Sequence, residues 1–259
     1  MVGPILIFDS GIGGLSVFEH IHSRLPNHDI YYLFDNARLP YGDLEEQELI
    51  RGCVALIINQ VEKIKASVVV VACNSASTLV LPELRNQLSI PVVGVVPAIK
   101  PAALISKTRH IGLLATPGTV TRQYTQDLIK SFAGGCEVTL IGSSELVLIA
   151  ETKAKKQDIN FGQIAEILSP INNSNIDTLV LGCTHFPLLQ QEIKRALTHP
   201  VQLLDSGDAI ATRVMSLIKD NDIAKGKLKA GFTKGVDEGL KMTLADYGFT
   251  QLECITAAN

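Results

Sequence analysis

A parallel, doubly wound α/β architecture built from two similar halves is what this 259-residue sequence predicts, and three observations carry the prediction. Short, fully apolar runs alternate with helix-length segments, the pattern of buried parallel strands joined by crossover helices. Two of those runs, VVVVACNSAS (68–77) and TLVLGCTHFP (178–187), each end in a cysteine followed at once by small hydroxyl or amide residues. The two cysteines, Cys73 and Cys183, lie 110 residues apart, and the motifs around them recur in the same order in both parts of the chain.

The first part reads ILIF (5–8), IYYLF (30–34), VVVVA (68–72) and PVVGVV (91–96) as strands. Between the second and third lies a helix pattern, with Leu49, Cys53, Leu56, Gln60 and Ile64 at spacings of three and four. The second part reads IGLLA (111–115), EVTLI (137–141), TLVLG (178–182) and VQLL (201–204). ILIFDSGIGG and IGLLATPGTV both run from a strand through Ser10 or Thr116 and a glycine-bearing turn into a helix. IPVVGVVP (90–97) and HPVQLLDSG (199–207) correspond after the cysteines, so the order points to an internal duplication. Beyond 207 a helix pattern (208–217), the strand KAGF (229–232) and another helix remain and are expected to return to the first half. The expected domains are therefore 1–97 with 208–259, and 98–207.

Composition narrows the function classes. A net charge of −3 with scattered basic residues leaves no electrostatic footprint for nucleic acid or an anionic membrane. The opening MVGPILIFDSG has no basic n-region, and no apolar run approaches the ~18 residues that span a bilayer. Five cysteines, an odd number with no CxxC, read as reduced thiols in a cytoplasmic protein. Cys183 and His185 lack a second pair at ligand spacing, so no metal is expected.

The carboxyl ends of strands are where open α/β sheets place ligands, and both Cys73 and Cys183 fall there. A thiol acts as base or nucleophile only as thiolate, so its loop must tune it. Asn74, Ser75 and Thr184 can donate to a carboxylate or cap the following helix. An ordinary buried cysteine beside an ordinary cap is the competing reading at either loop alone; two matching loops favour a shared site. Cys53 falls on an apolar helix face and reads as core, and Cys136 and Cys254 carry no supporting pattern. DSGIGG (9–14) fails the dinucleotide fingerprint because Ser16 holds the third glycine position, leaving Asp9 and Ser10 at a strand end beside amides that suit a small anion. By pattern alone Glu151 reads as a solvated helix end, and the remaining histidines (20, 22, 28, 110 and 199) as surface or structural; Asp205 and Ser206 repeat the strand-end Asp-Ser of positions 9–10 and could equally cap the next helix.

DSGIGG (9–14), PYG (40–42), ACNSAS (72–77), PVVGVVPAIKPA (91–102), ATPGTV (115–120), ELVLIAE (145–151) and LGCTHFPLL (181–189) together resemble the glutamate racemase family, in order and spacing. One departure is Ser75, where the family commonly has threonine; the hydroxyl is kept. The resemblance implies two pseudo-symmetric α/β domains with the site between them. It also implies cofactor-independent interconversion of L- and D-glutamate for peptidoglycan synthesis. By that resemblance Cys73 acts on D-glutamate with Asp9 assisting, and Cys183 on L-glutamate with Glu151 and His185 assisting. Asp9, Ser10, Tyr41, Gly42, Asn74, Ser75, Thr116, Thr119, Thr184 and His185 would hold the substrate. It further implies a homodimer and, for some members, a cell-wall precursor such as UDP-MurNAc-L-alanine as activator. A racemase for another acidic amino acid such as aspartate, or an additional non-catalytic role as a gyrase inhibitor, are the alternatives.

Overall fold

In the computed structural model, which describes residues 3–218 and 226–255, ten strands form two all-parallel sheets. The strands are β1 (Ile5–Asp9), β2 (Ile30–Phe34), β3 (Val68–Val71), β4 (Val92–Gly94), β5 (His110–Ala115), β6 (Glu137–Gly142), β7 (Thr178–Leu181), β8 (Gln202–Leu204), β9 (Leu228–Phe232) and β10 (Gln251–Cys254). One sheet has the order β10-β9-β2-β1-β3-β4 and the other β6-β5-β7-β8. The segments β2-β1-β3-β4 and β6-β5-β7-β8 are the same arrangement, which is the duplication read from the sequence. In each, the chain reverses direction of winding between the first and third strands of the half, the switch point at which such sheets open a crevice.

The central strands β1, β2, β3, β5 and β7 are buried on both faces, and the alternation of side chains separates two cores per molecule half. Ile5, Ile7, Tyr32, Phe34, Val68 and Val70 face one side of the larger sheet. Leu6, Phe8, Leu33, Val69 and Val71 face the other. The second face is covered by the helices Glu46–Ile64 and Asn74–Gln87. Glu45 caps the former by accepting the Glu48 amide, and Lys65 ends it in the left-handed region at φ 54°. Cys53 lies wholly inside this core, as its helical spacing predicts. Each fully buried aliphatic side chain contributes about 1.5–3 kcal/mol relative to exposure.

After β8 the helix Gly207–Leu217 leaves the smaller sheet and packs Ile210, Ala211 and Val214 into the larger sheet's core beside Phe18 and Ile21. β9 then pairs in parallel with β2, so this strand joins the larger sheet. The sequence reading lacked β10, which pairs with β9 at the sheet edge. Its segment QLEC is largely exposed and polar, as suits an edge, and so carries no apolar run to announce it.

Candidate active site

The turn after β1 and the loops after β3 and β7 come together from opposite sheets. β1 ends in Asp9, wholly buried, whose Oδ1 accepts the Ser10 hydroxyl at 3.0 Å and the Gly11 amide at 3.1 Å. Its Oδ2 accepts Thr184 Oγ1 at 2.8 Å, a bond from the other half. The Cys73 thiol, at the N-terminal end of the helix Asn74–Gln87, lies 3.8 Å from Ser10 Oγ and thus one hydroxyl away from Asp9. Cys183 Sγ lies 3.8 Å from Nδ1 of His185, and Nε2 of that ring is 2.8 Å from Glu151 Oε1. Glu151 Oε1 also accepts the amide of Ile12 in the DSGIGG turn at 2.9 Å. Two chains of contacts, thiol to hydroxyl to carboxylate and thiol to imidazole to carboxylate, therefore meet where the halves touch.

Close approach explains the glycines of the turn. A Cβ on Gly13 would lie 2.7 Å from the His185 backbone nitrogen and 2.8 Å from its ring Cε1, with the ring Nδ1 closer still, and one on Gly11 would strike the Glu151 carboxylate. Tyr32 braces the same turn, its phenol donating to the Gly11 carbonyl at 2.6 Å.

A second cluster is made of hydroxyls. Ser75 Oγ lies 2.9 Å from Thr116 Oγ1 and 3.4 Å from Thr119 Oγ1, and the two threonines are 3.0 Å apart. Thr116 follows β5 as Ser10 follows β1, so duplicated turns supply matching hydroxyls. Gly42 packs directly on Thr116, where a Cβ would come within 2.6 Å of the threonine's own. Asn74 is buried, and its Nδ2 has no hydrogen-bond partner among the described residues. It shares a small cavity with Ser16, Cys183, Thr184 and Asp205. Tyr41 is buried too, but its phenol donates to Asp35 Oδ2 at 2.5 Å, a carboxylate that also takes Arg38 at 2.6 Å.

The electrostatics follow from burial. Loss of water raises the Asp9 carboxyl above the ordinary carboxylate value, against the opposing pull of His185, Thr184, Gly11 and Ser10. Burial, then the Asp9 charge, pushes the Cys73 thiol up, so it rests protonated. For His185 burial opposes the cation, but hydrogen bonds to Cys183 and Glu151 outweigh it and hold the imidazole well above its ordinary value.

The pattern reading of Glu151 as a solvated helix end is overturned. The helix Glu145–Ala154 continues past it, and the residue is buried with two hydrogen-bond partners. Its carboxylate sits on the buried face because Ile12 and His185 occupy that face, and neither is near in sequence. Asp205 accepts the Gly207 amide at 2.7 Å, a local cap-like contact and one of the two readings its pattern left open. Sequence reasoning missed Tyr32, the Ile12 amide and Arg122. Tyr32 sits in an apolar strand that reads as core, a backbone amide has no signature, and Arg122 stands two residues beyond ATPGTV with nothing to distinguish it.

Comparison with known proteins gives the family. Residues 11–214 match the model of the Asp/Glu/Hydantoin racemase family. Glutamate racemase of Shewanella frigidimarina is 60% identical over 256 residues, covering 99% of each chain. The crystal structure of Escherichia coli glutamate racemase in complex with L-glutamate and the activator UDP-MurNAc-Ala superposes with a TM-score of 0.94 at 41% identity, covering 100% of each chain. Glutamate racemase from Aquifex pyrophilus gives 0.76 at 32% identity over 98% of each. The chain belongs to the Asp/Glu/hydantoin racemase family, on its glutamate racemase branch.

Proposed function

We propose that the protein interconverts L- and D-glutamate without a cofactor, using Cys73 and Cys183 as opposed bases, and so supplies D-glutamate for peptidoglycan. The observation that carries the reading is the pair of buried thiols at equivalent strand ends of two matching half-sheets, each coupled to its own carboxylate. Inversion at an α-carbon needs a base on one face and an acid on the other, and pseudo-symmetric halves supply that opposition.

With L-glutamate bound, Cys183 takes the α-proton as thiolate, the electron pair of the C–H bond passes into the α-carboxylate, and Cys73 delivers its proton to the opposite face. The thiol and thiolate thereby exchange places, and the reverse reaction starts from D-glutamate at Cys73. Burial, which favours the protonated Cys73 thiol, and the hydrogen bonds that raise His185 beside Cys183 both suit this first direction. Asp9 assists Cys73 through Ser10, and Glu151 assists Cys183 through His185. The Ser75, Thr116 and Thr119 hydroxyls, with Asn74, Thr184 and the Tyr41–Gly42 turn, bind the substrate's charged groups and stabilise the charge that grows on the α-carboxylate. Tyr41 does so through the backbone placement of Gly42, since its own phenol is committed to Asp35. Closure of the two domains, 1–97 with 208–259 against 98–207, excludes water from the carbanionic intermediate. The protein works in the cytoplasm as a homodimer with a cell-wall precursor as activator. Among the described residues no helix is long and apolar enough to cross a membrane.

Circular dichroism of L- and D-glutamate, with and without UDP-MurNAc-L-alanine, tests the proposal. Racemisation of glutamate but not aspartate, abolished in both Cys73→Ala and Cys183→Ala, is expected. Full turnover by either single variant would sink the two-base scheme.

A further inference from the structure

Arg122 joins the two halves beside the hydroxyl cluster. It stands between the helices Pro117–Thr121 and Gln123–Phe132 with extended backbone at φ −67° and ψ 145°, so the chain breaks there and turns. Its guanidinium crosses to the first half. Nη1 donates to the Ser75 carbonyl at 2.7 Å and to Thr78 Oγ1 at 2.8 Å, and Nε donates to Glu46 Oε1 at 3.1 Å. Thr78 Oγ1 in turn donates to the Ser75 carbonyl at 3.0 Å, closing a small ring of contacts around the first turn of the helix Asn74–Gln87.

Only 9% of the Arg122 side chain is exposed, and a cation so enclosed is tolerated because its donors are matched by acceptors. The planar fork is what reaches partners on two different helices at once; a lysine would offer a single point charge. Gly118 keeps the path open, since a Cβ there would lie 3.0 Å from the Gly42 carbonyl and 3.3 Å from Arg122 Nη2. The residue whose carbonyl is gripped, Ser75, is the one whose hydroxyl meets Thr116 and Thr119.

We propose that Arg122 is a positioning residue: from the second half it grips Ser75 and Thr78 of the first, and so holds the Ser75–Thr116–Thr119 hydroxyls in register and the halves closed over an anionic amino acid. This rests on the racemase reading above. A side chain that merely stabilised the fold would, when lost, lower the amount of active enzyme and leave KM alone. A positioning residue changes KM in the surviving enzyme.

Steady-state racemisation and hydrogen exchange of Arg122→Ala and Arg122→Lys test the inference. Arg122→Ala is expected to raise KM for both enantiomers about tenfold or more, the scale of a lost charge-assisted hydrogen bond, while kcat falls less than about threefold. Amides of 74–79 and 116–121 should exchange faster, with the sheet cores unchanged. Arg122→Lys, keeping the charge and one bond, should recover part of the affinity. An unaltered KM in folded Arg122→Ala, or unaltered exchange in both segments, overturns the proposal. If the parent does not racemise glutamate, it is the racemase reading that fails, and the exchange measurement decides the role of Arg122 by itself.

Discussion

One oxygen of Glu151 accepts the Ile12 amide at 2.9 Å and faces His185 Nε2 at 2.8 Å, so a single atom ties the turn after β1 to the loop that carries Cys183. The ring's orientation toward Cys183 thus depends on the two halves being together. A glutamine at 151 keeps an oxygen that accepts from Ile12 and from Nε2–H, but without the carboxylate charge it supports the imidazolium less and favours the neutral ring. Glu151→Gln is expected to lower kcat/KM by about tenfold to a hundredfold, the range for a disturbed acid–base partner. Because enantiomers have equal free energies, the loss must be the same for L- and D-glutamate, and progress curves from both sides check it. Unchanged kcat/KM would remove Glu151 from the proton path.

The turn glycines lead to a steric prediction. Gly13→Ala places a methyl against the backbone and ring of His185, so the turn and the Cys183 loop must separate. Since misplacement of about 1 Å near a reacting centre can cost about a hundredfold in rate, a loss of that order is expected. Gly235→Ala, where a Cβ would meet nothing within 4 Å, is the control and should keep parental kinetics.

His185 sets a pH dependence of stability. Burial opposes its cation, but the hydrogen bonds to Cys183 and Glu151 raise its folded pKa well above the ordinary 6.5. The stabilisation is therefore fully present below that value and is lost as pH rises through the folded pKa. The gap in thermal midpoint between the parent and His185→Asn should be largest below the ordinary imidazole pKa and shrink as pH rises through the raised folded value. A gap that widens with pH would show that the ring is neutral in the folded protein.

Two core residues separate packing from chemistry. Phe186 is fully buried among Leu146, Leu181 and Ile193, and Phe186→Ala should cost about 3–5 kcal/mol in denaturant unfolding. Cys53 is equally buried but small, so Cys53→Ala should cost only about 1 kcal/mol and leave racemisation unchanged. Loss of turnover in Cys53→Ala would contradict its role as packing.

Most of the fold was legible because its signals are local. Val68–Val71 and Leu179–Leu181 are apolar without a break, the pattern of an interior parallel strand buried on both faces. β10 escaped because an edge strand need not be apolar. The site was legible where it repeats: Cys73 and Cys183, Ser10 and Thr116 stand at equivalent strand ends. It was illegible where a residue's meaning lies in a distant partner.

The amino-acid sequence by itself determined which segments become strands and in what succession along each half, the thiols at the strand ends and the small residues beside them, since periodicity and turn chemistry act over a few residues. Only the tertiary structure decided that Glu151 turns inward, that Tyr41 spends its phenol on Asp35, and that Arg122 crosses between the halves. Glu151 and Ile12 are 139 residues apart, and Arg122 and Ser75 are 47 apart. A charged side chain on a helix looks the same in sequence whether it faces water or a partner. What distinguishes the two is desolvation balanced by hydrogen bonds, and those form only when the halves meet.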